Sequence, residues 1–368
     1  MSRWGDWAAG ETARVHAAGQ WRAPRDLDAA GPVGTLGPDG RAVVSFASND
    51  YLGLTQHPAV VAAAHAALDR WGSGSGSARL IVGSRPVHTE LEHALADWKR
   101  TDAAVLFPTG FAANLGVLST FGGPGVLVCS DELNHASIID GCRLSRSEVT
   151  VYRHADPAHV DRLLDEVPGR RAIVVTDSVF SMDGDVAPVE ELTEVCARHD
   201  ALLVVDEAHA VLGPDPDLDG VDALRVGTLS KTLGSLGGFV AGPRDFADLL
   251  VNRARSYIFT TASTPADAAA ALAAVAIVRS PEGDALCARL RAHVERVRPG
   301  HPSPIVPVVI GDERATVEAS AALLEQGLFV PAIRPPTVAP GTSRLRVALS
   351  AAHTDEQVDA LARALAEL

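Results

Sequence analysis

An acid and a lysine stand at the ends of two apolar runs. Leu202-Leu203-Val204-Val205 leads into Asp206, and Val226-Gly227-Thr228-Leu229-Ser230 leads into Lys231. A lysine amine condenses with an aldehyde to form a Schiff base, and a carboxylate keeps a pyridinium nitrogen protonated. The pair therefore suits pyridoxal phosphate, whose protonated ring is an electron sink. Taken singly, each residue has a plain alternative. A strand-end acid commonly caps the next helix, and a lysine after a strand is commonly a solvated charge. Ser230, Thr232, Gly234, Gly237 and Gly238 favour the cofactor, because small residues let a ligand approach the backbone closely. Lys231-Thr232 also matches the end of a phosphate-binding P-loop. Arg225 and Ser230 stand where that motif has glycine, so this route to ATP is set aside.

Other residues fall where such a cofactor needs contacts. His209, three residues past Asp206, can reach the same ring. Thr109-Gly110-Phe111-Ala112-Ala113-Asn114 follows the run ending at Phe107 and would open a helix. The free N–H groups and dipole of a helix start suit a phosphate, although an ordinary strand-to-helix turn reads equally well. His135, in Asn134-His135-Ala136-Ser137, can lie flat on a pyridine ring, or be an exposed loop histidine. Ser181, in Phe180-Ser181-Met182-Asp183-Gly184, can bond the cofactor, or belong to a turn closed by Asp183-Gly184. Arg344 and Arg346 alternate with apolar residues, so they share one strand face. Together they suit a substrate carboxylate or structural ion pairs.

The elements that must carry these residues read as α/β. Val105-Leu106-Phe107, Val126–Cys129, Ala172–Val175, Leu202–Val205 and Gly238–Ala241 are continuous apolar runs rather than alternating ones. That is the pattern of a mostly parallel sheet covered on both faces. Helical segments lie between most of them, such as 188–199. In an open sheet of this kind the ligand crevice lies at the carboxyl ends of the strands, where Asp206 falls. The 368 residues exceed one usual core, so two packed units are expected. The reading divides them into an N-terminal arm (1–45), a large domain (46–255) and a smaller α+β C-terminal domain (256–368). The arm has a helix over 12–22. The last domain has helices over 266–297 and 315–326, strands over 305–310 and 344–349, and a final helix capped by Thr354. Gly74 to Gly83, rich in glycine and serine but framed by structure, reads as an ordered active-site loop rather than a linker.

Bulk properties narrow the function. A formal net charge of −14 argues against nucleic acid and anionic membrane surfaces. The four cysteines form no CxxC pair, so neither a disulfide framework nor a metal site is suggested. The start lacks a signal peptide's apolar core and no apolar stretch is long enough to span a bilayer, which fits a cytoplasmic protein.

Taken together, these segments resemble the α-oxoamine synthase family of fold-type I pyridoxal-phosphate enzymes. The likeness runs from Phe46 to the C-terminus and rests also on Ser48-Asn49-Asp50-Tyr51-Leu52-Gly53-Leu54. It implies an aspartate aminotransferase-like transferase fold with a seven-stranded large-domain sheet. Lys231 would be the Schiff-base lysine, Asp206 the partner of the ring nitrogen and His135 the stacking residue. His209 and Ser181 would reach the phenolic oxygen. Gly110, Phe111 and Thr228 would support the phosphate, with Thr260 or Thr261 arriving from the second subunit of a homodimer. Arg346 would hold the amino-acid carboxylate in preference to Arg344, with Asn49 nearby and Arg22 meeting the acyl substrate. The segment Ala332-Ile333-Arg334-Pro335-Pro336 to Arg346 is similar to members that condense L-alanine with a pimeloyl thioester, on CoA or an acyl-carrier protein, in biotin synthesis. The alternatives are a glycine-using member (a glycine C-acetyltransferase or 5-aminolevulinate synthase), or a non-catalytic regulatory protein on the same fold. The chain departs from the family pattern in two ways. Ala210 stands where glycine is usual, and Arg22 and Arg25 stand in place of a longer basic run.

Overall fold

The structure is a computed structural model that describes residues 2–213 and 215–368. Helix α1 (Arg3–Ala17) starts earlier than the sequence pattern suggests, because the Ser2 side chain accepts from Gly5 N and caps it. It ends before Gly19, whose φ of 65° breaks the helix. Strands β1 (Leu27–Ala29), β2 (Val33–Leu36) and β3 (Arg41–Ser45) form an antiparallel ribbon. Residues 27–45 do not trail free: β3 pairs in parallel with Leu328–Phe329 near the other end of the chain.

Helices α2 (Pro58–Trp71) and α3 (Pro86–Lys99) lead into the main sheet. Its strands are β4 (Ala103–Phe107), β5 (Leu127–Asp131), β6 (Glu148–Tyr152), β7 (Ala172–Asp177), β8 (Leu202–Asp206), β9 (Ala223–Thr228) and β10 (Gly238–Gly242). The spatial order is β4-β10-β9-β8-β7-β5-β6, and only β10 runs antiparallel to its neighbours. The mostly parallel, seven-stranded sheet is therefore as expected. Its apolar runs are continuous because both faces are covered. Ile173, Val175 and Val204 pack on one side with α4 (Gly110–Phe121) and α5 (Ala136–Ser145). Val174, Leu203 and Val205 pack on the other with α6 (Pro157–Asp165) and α7 (Val189–His199).

The helices expected over 266–297 are Pro265–Val278 and Pro281–Val297. Ser280 caps the second and Pro281 occupies its first turn. The first of them packs on α2 and α3. A three-stranded sheet follows, in which Ile305–Gly311 and Ala332–Ile333 flank Ser343–Ala348. Helix Asp355–Ala366 opens with a reciprocal capping box between Thr354 and Gln357. Among the described residues, no helix is long and apolar enough to cross a membrane.

Candidate active site

The carboxyl ends of β4, β7, β8 and β9 converge. In register, Asp177 sits opposite Asp206, and Asp206 opposite Val226. The turns that follow line a cavity of about 150 Å³, and seven of the anticipated residues meet there: Gly110, Phe111, His135, Asp206, His209, Thr228 and Lys231. A larger cavity of about 650 Å³ lies behind the 207–216 segment and shares no lining residue with it. Lys231, the strand-end acids and the helix start all line the smaller one, which makes it the candidate site.

One wall is the start of α4. Thr109 Oγ1 accepts from Ala112 N at 3.0 Å and caps the helix. Gly110 and Phe111 lie in the first turn, where helix geometry supplies their N–H groups with no acceptor. Backbone pressed against backbone brings this turn close to the sheet: a Cβ on Gly238 would lie 2.5 Å from Gly110 N. Thr228 Oγ1 donates to the Gly237 carbonyl at 3.0 Å and lies 2.7 Å from Ser230 Oγ, beside the same helix start.

The floor is a polar network. Asp206 Oδ1 accepts from Ala208 N at 2.9 Å, and Oδ2 from Asn114 Nδ2 at 2.6 Å. Asn114 Nδ2 also donates to Ser137 Oγ at 2.9 Å, which leaves that hydroxyl to donate to His135 Nδ1 at 2.8 Å. Asn114 Oδ1 is buried without a partner, a polar atom facing into an otherwise satisfied network. Asp177 Oδ2 accepts from His135 N at 2.8 Å. Burial, then the Asp206 charge, push the Asp177 carboxyl well above its ordinary range. Burial holds the Lys231 ammonium below its ordinary value, opposed by Asp206 and Asp177 and aided by Arg346. A lysine shifted this way supplies neutral amine more readily. His209 is driven well below its ordinary value by burial, with Lys231, Arg346 and His135 adding to the effect, and is neutral.

The remaining anticipated residues lie outside this cavity. Arg346 Nε donates to the Ser181 carbonyl at 2.5 Å, and Nη2 to Asn49 Oδ1 at 3.2 Å. Both arginines are buried. Arg344 is taken by an ion pair with Asp183, whereas Arg346 has no acidic partner among the described residues. The two arginines of one strand face therefore differ: one is paired and the other is available. Ser181 contributes its carbonyl to Arg346. Thr260 and Thr261, beside the exposed Phe259, do not reach the cavity within one chain. Arg22 donates to the Pro335 carbonyl at 3.3 Å, and Arg334 answers by donating to the Gly19 carbonyl at 2.6 Å. Ala210 has no positive φ, so this backbone does not require the glycine usual there. The loop 74–83 is tied down by Ser75 Oγ, which donates to the Ser263 carbonyl, and by the Arg79–Glu92 ion pair.

Sequence reasoning missed Asn114, Asp177 and Tyr51. Asn114 is one helical turn after Gly110, and Asp177 ends an apolar strand just as Asp206 does, so both signals were present. Tyr51 Oη lies 2.6 Å from His209 Nδ1, a long-range contact with no local sequence signal.

The donor set fits pyridoxal phosphate. An amine stands with a carboxylate for the ring, and first-turn N–H groups stand with two hydroxyls for an anion. A lysine, an acid and a helix start arranged on this sheet define a fold-type I pyridoxal-phosphate transferase. Known proteins agree. Residues 41–365 match the family model of aminotransferase class I and II. The 8-amino-7-oxononanoate synthase of Anaeromyxobacter dehalogenans (strain 2CP-1 / ATCC BAA-258) is 50% identical over 98% of this chain and 95% of its own length. That of Methylobacterium sp. (strain 4-46) is 49% identical over 90% and 88%. Among solved structures, serine palmitoyltransferase of Sphingomonas wittichii aligns with a TM-score of 0.89 at 31% identity, over 100% of this chain and 97% of that one. The 8-amino-7-oxononanoate synthase of Francisella tularensis aligns with a TM-score of 0.73 at 26% identity, over 88% and 97%. The chain belongs to the aminotransferase class I and II family and, within it, to the 8-amino-7-oxononanoate synthases.

Proposed function

We propose that the protein condenses L-alanine with a pimeloyl thioester, giving 8-amino-7-oxononanoate, carbon dioxide and the free thiol. The observation that carries the amino-acid half is Arg346, a buried guanidinium without an acidic partner, close enough to Lys231 and His209 to lower both. An unpaired buried cation is costly, and a substrate carboxylate would satisfy it by a bidentate contact. The near-half identity to named synthases over almost the whole chain supports alanine and the pimeloyl group.

Pyridoxal phosphate, when bound, supplies an electron sink for a carbanion at the amino-acid Cα. The chain's residues do the rest. Gly110 and Phe111 N–H groups would hold the phosphate, with the Thr228 and Ser230 hydroxyls free to turn toward it from the Gly237 carbonyl and from each other, and Asp206, fixed by Asn114 and Ala208 N, would keep the ring nitrogen protonated. His135 would pack on the ring, while His209 would address the phenolic oxygen. Arg346 would fix the carboxylate and so orient the amino acid in the site. Lys231, its amine held below its ordinary value by burial, would take the Cα proton as general base. The Cα carbon would then displace the thiol from the thioester, carbon dioxide would leave the condensed acid, and a proton returned to Cα by the Lys231 ammonium would complete the exchange.

A second copy of the chain would complete the site. Ile81, Val82 and Phe259 are 74%, 68% and 70% exposed, a concentration of apolar surface suited to burial between two copies. Such pairing would carry Thr260 or Thr261 of one copy toward the phosphate end of the other.

The test supplies purified holoenzyme with pimeloyl-CoA and either alanine or glycine, and weighs the products by mass spectrometry. One methyl is worth about 1–3 kcal/mol, so alanine should lead by roughly 10- to 200-fold in kcat/KM. Faster turnover with glycine and a shorter acyl-CoA would overturn the assignment.

A further inference from the structure

His209 is a neutral ring in a cationic surrounding, and its use depends on which nitrogen carries the proton. The structure supplies a device that decides this. Tyr51, fully buried, places its hydroxyl 2.6 Å from His209 Nδ1 and 3.1 Å from Asn49 Oδ1. The orientation of the Asn49 amide is set independently. Arg346 has only donors to offer, and its Nη2 lies 3.2 Å from Asn49 Oδ1, so the carbonyl side faces both Arg346 and Tyr51. Tyr51 has one proton and two acceptors within reach.

The distances discriminate between them. Hydroxyl donors make bonds of about 2.5–3.0 Å, shorter than the usual N–H contact. The 2.6 Å contact is that of O–H donating to Nδ1, and the 3.1 Å contact is the weaker alternative. Burial pushes the Tyr51 hydroxyl up to about 12, so it keeps its proton as a donor throughout the working range. With Nδ1 occupied as an acceptor, a neutral imidazole must carry its proton on Nε2.

We infer that Tyr51 is a positioning residue that holds His209 as the Nε2–H tautomer, so that the ring presents a hydrogen-bond donor to the cofactor cavity. The inference rests on the assignment of His209 to the phenolic oxygen. It also places Arg346, Asn49, Tyr51 and His209 in one hydrogen-bonded chain, joining the group that would hold the substrate carboxylate to the group that faces the cofactor.

Two measurements on the full-length holoenzyme test this. In protein labelled with nitrogen-15 histidine, with the His209 signals assigned against H209Q, Nε2 should resonate as the protonated nitrogen and Nδ1 as the bare one. A protonated Nδ1 would overturn the inference. In Tyr51→Phe, the pH midpoint of the cofactor's absorption change should rise by about half a unit or more, because a weakened donor stabilises the ionised phenolic oxygen less. A lowered melting temperature with an unmoved midpoint would mean a merely structural tyrosine and would also overturn it. The wild-type tautomer measurement stands even if Tyr51→Phe fails to fold. Neither readout depends on which amino acid or thioester is used, so failure here is distinct from failure of the proposed reaction.

Discussion

Gly238→Ala tests whether the cofactor site depends on backbone pressed against backbone. Gly238 lies in β10 between Thr228 and Phe107, and its α-carbon faces the turn that opens α4. An added Cβ would stand 2.5 Å from Gly110 N and from the Thr109 carbonyl carbon and oxygen, all backbone atoms that cannot rotate away. Relief requires β10 and the helix start to part by about 1 Å, an overpacking that costs about 1–3 kcal/mol of folding stability. The same movement draws the Gly110 and Phe111 N–H groups from the phosphate. Losing one hydrogen bond to a charged group costs about 1.5–3 kcal/mol, which is a rise in cofactor Kd of roughly 10- to 150-fold. Urea denaturation reads the first effect, and absorbance titration of cofactor-stripped protein with pyridoxal phosphate reads the second. Gly10→Ala is the control: a Cβ there meets nothing within 4 Å, and cofactor affinity should not change. If Gly238→Ala binds the cofactor like wild type, the close approach of β10 to the helix start does not shape the phosphate site, whatever the variant's stability.

The two arginines should separate by assay. Arg346→Gln should raise KM for alanine at least about tenfold, the cost of one charge-assisted contact. Arg344→Gln, which breaks the pair with Asp183, should lower the urea midpoint with a smaller effect on KM; equal KM effects would contradict the division of roles. His154 ties the 178–187 turn to β5, with Nδ1 3.0 Å from Asp131 Oδ1 and Nε2 2.6 Å from Asp185 Oδ2. Burial opposes its charge, but the two carboxylates outweigh that and raise it above 6.5. A raised histidine adds stability that is whole below its ordinary value and is lost as pH rises through the raised one. The wild-type urea midpoint should therefore fall from about pH 6 to about pH 9 by more than that of His154→Gln; parallel curves would contradict the assignment.

The sheet was legible because its strands are buried on both faces and so read as unbroken apolar runs. Asp206 and Lys231 were legible because they end such runs. What escaped depends on contacts that sequence spacing does not encode. Tyr51 meets His209 across the fold, and β3 pairs with Leu328–Phe329 from the opposite end of the chain. The choice between Arg344 and Arg346 was open in the sequence, since alternation puts both on one face. Asp183, on a distant turn, pairs with Arg344 and leaves Arg346 without an acidic partner among the described residues. A helix boundary was missed where a single side chain sets it, as Ser2 does for α1.

Lys231 is the group proposed to move the Cα proton of alanine. Holoenzyme in deuterium oxide with L-alanine and no thioester should exchange that proton, and the methyl doublet of alanine should collapse in the proton NMR spectrum. Lys231→Ala, loaded with cofactor, should exchange slower by about 10²- to 10⁴-fold, the usual worth of a positioned general base. Exchange at the wild-type rate in Lys231→Ala would contradict the account.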